Sequence, residues 1–133
     1  MKSVFADTSY YIALTNPRDQ FSKQALHWTA GFDGAFVTTA WVLTELANTL
    51  SRGPNRRLFL DMYDDLTSDK RVTVVPPTHE MLERGFALYG ERLDKEWSLT
   101  DCISFVVMHD HQLTEAATAD HHFEQAGFRA LLK

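Results

Sequence analysis

The stretch that decides the fold lies near the start of the chain and reads Ser3-Val4-Phe5-Ala6-Asp7-Thr8-Ser9. A short apolar run that a carboxylate closes directly is typical of a buried strand with its carboxyl end at a ligand site. The same pattern recurs near the other end of the chain, in Ala116-Ala117-Thr118-Ala119-Asp120. Since two carboxylates at one sheet edge repel each other and resist burial, the pattern predicts a proton or a divalent cation between Asp7 and Asp120.

Strand-like and helix-like segments alternate along the rest of the chain. Apolar and β-branched runs predict strands at residues 3–6, 35–38, 72–75, 116–119 and 128–131. Helical periodicity and turn signals predict helices near residues 10–14, 21–28, 39–51, 57–66, 81–93 and 99–108. This alternation predicts an α/β fold in which helices cover both faces of a parallel sheet. No repeat, linker or low-complexity segment interrupts it, so residues 1–133 are expected to form a single domain.

The composition narrows the class of protein. Of the 133 residues, 44% are hydrophobic and 23% are charged, which disfavours disordered, collagen-like and coiled-coil proteins. No apolar stretch approaches the ~20 residues of a membrane span, and no signal-peptide core is recognisable near the N-terminus. The single cysteine, Cys102, cannot form an internal disulfide and is expected to be a small core residue. We therefore expect a cytoplasmic protein that does not bind a membrane.

The formal net charge of −5 argues mildly against a nucleic-acid partner, because affinity for nucleic acids comes mainly from neutralised phosphates. Carboxylates that surround a divalent ion would cancel much of this excess locally. Arg52, Arg56 and Arg57 form the densest basic cluster and are candidate RNA-binding residues. For any one of them alone, a solvated helix end is the simpler explanation.

Four acids, Asp7, Glu45, Asp101 and Asp120, are the candidate metal ligands. Each also has a structural explanation of its own. Asp101 ends a Ser-x-x-Asp capping box, Glu45 lies in mid-helix where an exposed glutamate is ordinary, and the other two can cap the helix that follows each of them. A set of carboxylates without a histidine or thiolate set is what Mg²⁺ or Mn²⁺ prefers.

Four segments in combination resemble the PIN-domain ribonucleases, and the likeness is greatest to the small VapC-type toxins. The segments are Asp7-Thr8-Ser9, Thr38-Thr39-Ala40-Trp41-Val42-Leu43-Thr44-Glu45-Leu46-Ala47-Asn48, Asp94-Lys95-Glu96-Trp97-Ser98-Leu99-Thr100-Asp101-Cys102-Ile103-Ser104-Phe105 and Ala117-Thr118-Ala119-Asp120-His121-His122-Phe123. The likeness extends from the first strand to the last. It implies a PIN-like three-layer α/β/α domain with a central parallel sheet of about five strands.

The resemblance also implies an activity and the residues that perform it. The implied catalytic and metal-binding residues are Asp7, Glu45, Asp101 and Asp120. Supporting residues, which would orient carboxylates or substrate, are Thr8, Ser9, Ser98 and Thr118, with Asp94 as a further acid of second rank. The implied reaction is cleavage of RNA within the chain, dependent on Mg²⁺ or Mn²⁺, to leave a 5′-phosphate. Such an ion acidifies a bound water, aligns it for in-line attack and neutralises charge on the phosphate oxygens.

Three partners follow from the same resemblance: an RNA substrate, a cognate antitoxin protein and a second copy of the chain in a homodimer. An inhibitor is expected to insert an arginine or lysine among the four acids while its amphipathic helix occupies an apolar groove. The two N-terminal helices are the candidate groove because they carry an excess of aromatic side chains, namely Tyr10, Tyr11, Phe21 and Trp28. Burial of these side chains is an equally good alternative.

Other functions stay open as alternatives. A housekeeping PIN-type RNA-processing nuclease would use the same site. A phosphoryl-accepting signalling domain also has Asp residues and a metal ion at strand ends, but it requires a paired acid early in the chain and a lysine after a late strand. A catalytically idle binding module is disfavoured because all four acids are in place. Zinc is disfavoured because the histidines lack helical i, i+4 spacing and a cysteine partner; they are His109, His111, His121 and His122.

Overall fold

The computed structural model describes residues 1–133, and its centre is a sheet of five parallel strands. The elements follow in the chain as β1 (Ser3–Ala6), α1 (Thr8–Thr15), α2 (Ser22–Ala30), β2 (Ala35–Thr39), α3 (Ala40–Thr49), α4 (Asn55–Ser68), β3 (Val72–Val75), α5 (His79–Glu91), α6 (Leu99–Asp110), β4 (Glu115–Ala117), α7 (His121–Gln125) and β5 (Arg129–Ala130). The strand order is β3-β2-β1-β4-β5. The predicted α/β/α fold with a five-stranded parallel sheet is confirmed.

β1 forms the middle of the sheet because its side chains are apolar on both faces. Val4, Phe5 and Ala6 are fully buried, as expected for a strand that helices cover on both sides. β1 pairs with β2 on one side and with β4 on the other. The strand order therefore reverses between β1 and β4. The crevice outside the carboxyl ends of two such strands is where open α/β sheets bind ligands.

Side-chain caps fix the starts of the helices that face this crevice. The Thr39 hydroxyl accepts a hydrogen bond of 3.1 Å from the backbone N–H of Val42 and begins α3, as predicted. α6 begins with a complete capping box, in which Ser98 and Asp101 each accept from the backbone N–H of the other. These caps hold the first turns of α3 and α6 in fixed positions beside the sheet.

The aromatic side chains of the two N-terminal helices lie mostly in the core. Tyr10 and Tyr11 are each 2% exposed, and Phe21 and Trp28 are half-buried and pack against the core. Tyr10 stacks on Phe36 of β2 with ring centroids 5.9 Å apart. The prediction of an aromatic docking groove on these helices is therefore wrong for the two tyrosines, because they cover the sheet instead of facing solvent.

Two boundaries differ from the sequence prediction near the site. β4 ends at Ala117, two residues earlier than predicted, because Thr118 turns its hydroxyl to accept from the backbone N–H of Asp120 at 3.0 Å. β5 is limited to Arg129 and Ala130. Cys102 is 1% exposed, which confirms it as a core residue. None of the helices combines the length and apolar character needed to cross a membrane.

Candidate active site

Asp7 directly follows β1 and lies at the bottom of the crevice. It is only 4% exposed. Its Oδ2 accepts hydrogen bonds from the hydroxyl groups of Ser9, at 3.1 Å, and Thr118, at 2.9 Å. Although Asp7 occupies the position that caps α1, its side chain makes no capping hydrogen bond. Helix capping therefore does not explain why a carboxylate is buried at this point.

The surroundings of Asp7 favour its neutral form. Burial is the largest effect and the nearby Asp101 carboxylate is the second; together they raise the pKa of Asp7 from 3.8 to about 7. Asp120 adds a smaller repulsion, and the hydrogen bond from Thr118 acts in the opposite direction on the pKa. A buried carboxylate that repels two others is the arrangement for which a cation is a natural partner.

Asp101 reaches the same crevice from the first turn of α6. Its Oδ2 accepts from the backbone N–H of Ser98 at 3.1 Å, so the predicted capping role is confirmed. Burial raises the pKa of Asp101, and the Asp120 carboxylate raises it further. One carboxylate therefore caps the helix and also adds negative charge to the crevice, and its role as a metal ligand stays a prediction.

Asp120 lies on the loop between β4 and α7, and it brings with it His122, which was not among the predicted site residues. Its Oδ1 accepts from the backbone N–H of His122 at 2.8 Å and caps α7. The His122 Nδ1 lies 3.2 Å from the Asp101 Oδ2 and 3.3 Å from the Asp120 Oδ1. In the tautomer with the proton on Nδ1, this nitrogen donates to both carboxylates, which can only accept when ionised. His122 thus links Asp101 to Asp120.

Glu45 approaches from α3 and is half-buried. It lines a cavity of about 420 Å³ together with Thr100, the residue before Asp101. Glu45 makes no ion pair. It is less exposed than the solvated mid-helix glutamate that was the alternative prediction for this position. The structure therefore places Asp7, Asp101 and Asp120 in mutual electrostatic contact, and it brings Glu45 to a cavity that Thr100 also lines. The role of Glu45 as a fourth ligand stays a prediction.

The donor set of this centre fits a divalent cation. Neither Asp7 nor Asp101 has a lysine or arginine partner, and the basic side chains in contact with the cluster are those of His121 and His122. The Thr8 Oγ1, one residue from Asp7, is buried and has no hydrogen-bond partner. Several hard oxygen donors without a counter-charge, and one orphaned hydroxyl among them, match the ligands that Mg²⁺ and Mn²⁺ take.

Some residues predicted for the site lie apart from the carboxylates or elsewhere on the surface. Asp94 is exposed and receives two hydrogen bonds of 3.0 Å from Arg92, which lower its pKa. Arg52, Arg56 and Arg57 are exposed, and Arg56 donates to the backbone carbonyl of Ser51 at 3.1 Å. Arg52 follows α3 and the other two lie in the first turn of α4, all on the surface, and their role in RNA binding stays a prediction.

The histidines do not assemble into a zinc site of their own. His109 packs its ring on Phe128 at 5.2 Å, and His111 is exposed at the end of α6. Potential ligand atoms of Asp120, His121 and His122 lie within 4.8 Å of one another, but only these three residues meet. One of the three is a carboxylate of the acidic cluster, so this group belongs to the centre already described.

The fold and the site together define an α/β protein with an acidic centre at the carboxyl edge of its sheet. A family model of the PIN domain matches residues 4–129, and the chain belongs to the PIN domain family. A comparison with curated protein sequences finds no match.

Solved structures of VapC toxins resemble this chain over almost its full length. VapC20 of Mycobacterium tuberculosis, described as a sarcin-ricin loop cleaving toxin, is 26% identical over 94% of this chain and 95% of that chain, with a TM-score of 0.85. VapBC-1 from nontypeable Haemophilus influenzae matches 99% of this chain and 100% of its own at 15% identity and a TM-score of 0.68. A chain of a toxin-antitoxin complex from Klebsiella pneumoniae is 17% identical over 89% of this chain and 87% of that chain, with a TM-score of 0.64. The resemblance found in the motifs is confirmed.

Proposed function

We propose that this chain is an endoribonuclease that depends on a divalent metal ion and acts as the toxin of a toxin-antitoxin pair. The observation that carries the proposal is the burial of Asp7 against two further carboxylates with no cationic side chain to compensate it. Membership of the PIN family and the likeness to VapC20 support the same activity. We take residues 1–133 to act as one nuclease domain.

The metal ligands in this proposal are Asp7, Glu45, Asp101 and Asp120, and the ion is Mg²⁺ or Mn²⁺. When bound, such an ion supplies an activated water and stabilises negative charge on the phosphate that is cut. Burial of Asp7 and Asp101 supplies a partly dry crevice in which charge interactions are stronger than in water.

The remaining residues of the centre orient the ligands. Ser9 and Thr118 hold the Asp7 Oδ2 between their hydroxyl groups. Ser98 fixes the Asp101 carboxylate through the capping box. The His122 Nδ1–H restrains Asp101 relative to Asp120. Hydrogen bonds of this kind to ligating carboxylates are needed for tight metal binding, because they fix the direction of each oxygen.

The partners in the proposal are RNA, an antitoxin and a second copy of the chain. RNA as substrate is supported by VapC20, which is described as cleaving the sarcin-ricin loop. An antitoxin is supported by the matched toxin-antitoxin complexes. A homodimer would bring basic side chains of one copy next to RNA held by the other, although each copy carries a net charge of −5. Action on RNA and restraint by an antitoxin imply a cytoplasmic protein.

Cleavage of a 3′-labelled single-stranded RNA that begins with a 5′-hydroxyl tests the activity of the purified chain. We expect internal cuts in the presence of Mg²⁺ or Mn²⁺, none in EDTA, and products that a 5′-phosphate-dependent exonuclease degrades. Asp7→Asn should abolish the cuts. Asp33→Asn, at an exposed loop position, is the matched control and should cut at the wild-type rate. Equal cleavage by Asp7→Asn would refute the proposed mechanism.

Expression in a bacterial host separates a toxin from a housekeeping nuclease. We expect growth arrest by the wild-type chain, no arrest by Asp7→Asn, and relief when the reading frame next to the gene is expressed as well. Soluble chain that cuts RNA in vitro but does not slow growth would support the housekeeping alternative.

A further inference from the structure

The cavity beside Glu45 has a composition that metal binding does not account for. It is an open depression of about 420 Å³ between α3 and α6, and its lining residues are Trp41, Thr44, Glu45, Asn48, Thr49 and Thr100. The indole of Trp41 is the one hydrophobic wall. Sites for small molecules begin at about 300 Å³, so the space suffices for one planar group of nucleobase size. A polar cavity with a single aromatic face suits a planar, polar ligand better than an apolar segment of protein.

Three of the lining side chains have hydrogen-bonding groups that form no hydrogen bond within the protein. They are the indole N–H of Trp41, the amide of Asn48 and the hydroxyl of Thr100. None of the three side chains is buried, so water satisfies these groups until a ligand replaces it. The hydroxyl groups of Thr44 and Thr49, by contrast, donate to backbone carbonyls of α3. The free groups include donors and acceptors, as the edge of a nucleobase requires.

The position of the cavity relates it to the acidic centre. Trp41, Glu45 and Asn48 share one face of α3 through spacings of four and three residues. Glu45 belongs to both the cavity and the proposed ligand set, and Thr100 directly precedes Asp101. A phosphate held at the acidic centre therefore has its neighbouring nucleoside within reach of the cavity.

We propose that this cavity binds one unpaired nucleobase of the RNA substrate, adjacent to the phosphate that is cut. The base lies against the Trp41 indole, and its polar edge meets Asn48 and Thr100. The proposal rests on the proposed ribonuclease function and adds to it a source of base preference. Stacking on an aromatic side chain accepts any base, whereas the amide and hydroxyl groups discriminate between base edges.

An abasic scan of the substrate tests the stacking. The substrate is a short single-stranded RNA that the wild type cuts with Mn²⁺, and an abasic residue replaces each position around the cut in turn. We expect one position at which the loss of the base lowers kcat/KM ~10-fold. Trp41→Leu should cause a loss of the same size with the intact RNA and no further loss with the abasic one, because both changes remove one contact. If the loss caused by Trp41→Leu and the loss caused by the abasic residue multiply at every position, the proposal is overturned.

Two further variants keep the test decisive if Trp41→Leu disturbs the fold. Trp41→Phe retains an aromatic face and should stay within ~3-fold of the wild-type kcat/KM. Asn48→Ala changes an exposed side chain, and it should alter the base preferred at that one position in a randomised RNA pool. An unchanged preference profile in Asn48→Ala would contradict the assignment. Tyr63→Leu, an exposed aromatic residue of α4 that does not line this cavity, is the control and should match the wild type.

The wild-type arm separates this inference from the function on which it rests. Wild-type chain that cuts no RNA with Mg²⁺ or Mn²⁺ removes the proposed function and the subsite together. Wild-type chain that cuts RNA with a profile insensitive to Trp41→Leu and Asn48→Ala removes the subsite alone.

Discussion

Replacing Asp7 by asparagine should stabilise the metal-free protein, and by an amount that depends on pH. The pKa of Asp7 is about 7 in the folded chain against an ordinary value of 3.8. Between these two values the folded chain binds more protons than the unfolded chain, so the free energy of unfolding falls as the pH rises through this window. The two values lie about three pH units apart, and at about 1.4 kcal/mol per unit the ionisation of Asp7 costs about 4 kcal/mol.

Asparagine removes this cost because it is neutral at every pH, and its amide oxygen can still accept from Ser9 and Thr118. We expect Asp7→Asn and wild type to be almost equally stable at pH 4. At pH 8 in EDTA, the variant should be more stable by up to about 4 kcal/mol. Urea denaturation at a series of pH values measures the difference. Asp33→Asn, at an exposed loop position, is the control and should show no such trend.

Added metal should reverse the order of stability. Saturating Mn²⁺ at pH 8 stabilises the folded wild type by mass action, whereas Asp7→Asn lacks one ligand and gains less. A stability difference between Asp7→Asn and wild type that stays constant from pH 4 to pH 8 would refute the reasoning. It would mean that Asp7 is ionised in the folded protein without the penalty that its burial implies.

Four further variants test other residues of the proposed function. His122→Phe should weaken Mn²⁺ binding roughly 10- to 100-fold in calorimetric titrations, whereas His122→Asn keeps a donor near the position of Nδ1 and should lose much less. Ser98→Ala should destabilise the protein by about 1 kcal/mol, because the Asp101 backbone N–H loses the hydroxyl that caps α6. It should also slow RNA cleavage, because the first turn of α6, which carries Asp101, is held less firmly. Replacing Arg52, Arg56 and Arg57 together by alanine should flatten the salt dependence of RNA binding by up to ~3 phosphate equivalents and leave Mn²⁺ affinity unchanged. An unchanged salt slope would assign these arginines to ordinary solvated surface.

The sheet was predictable because parallel strands carry a local signature. β1 is a continuous apolar run that ends at a carboxylate, and the structure buries Val4, Phe5 and Ala6 completely. The starts of α3 and α6 were predictable because their caps lie within three residues of the groups they bind. The end of β4 was not, because the Thr118 side chain bonds to residues of its own turn and to Asp7, which is 111 residues distant in sequence.

Each acid of the site could be recognised from its own sequence context. The side-chain contacts that connect the acids could not be predicted. The contact of the His122 Nδ1 with Asp101 joins residues from α7 and α6 and has no local pattern. The aromatic side chains of α1 were misleading for a related reason. Whether a tyrosine at the start of a helix faces solvent or the sheet depends on where the helix lies, and Tyr10 packs on Phe36. Periodicity in so short a helix does not decide between these positions.

The central claim is that the buried carboxylates hold the metal ion, and anomalous diffraction from crystals soaked in Mn²⁺ tests it most directly. The account predicts a manganese peak at coordination distance, about 2.0–2.3 Å, from carboxylate oxygens of Asp7, Asp101 and Asp120. Asp7→Asn crystals soaked in the same way should show a weaker peak or none. A manganese ion bound instead by Asp120 with His121 and His122, away from Asp7, would contradict the account, as would wild-type crystals without any peak in the crevice.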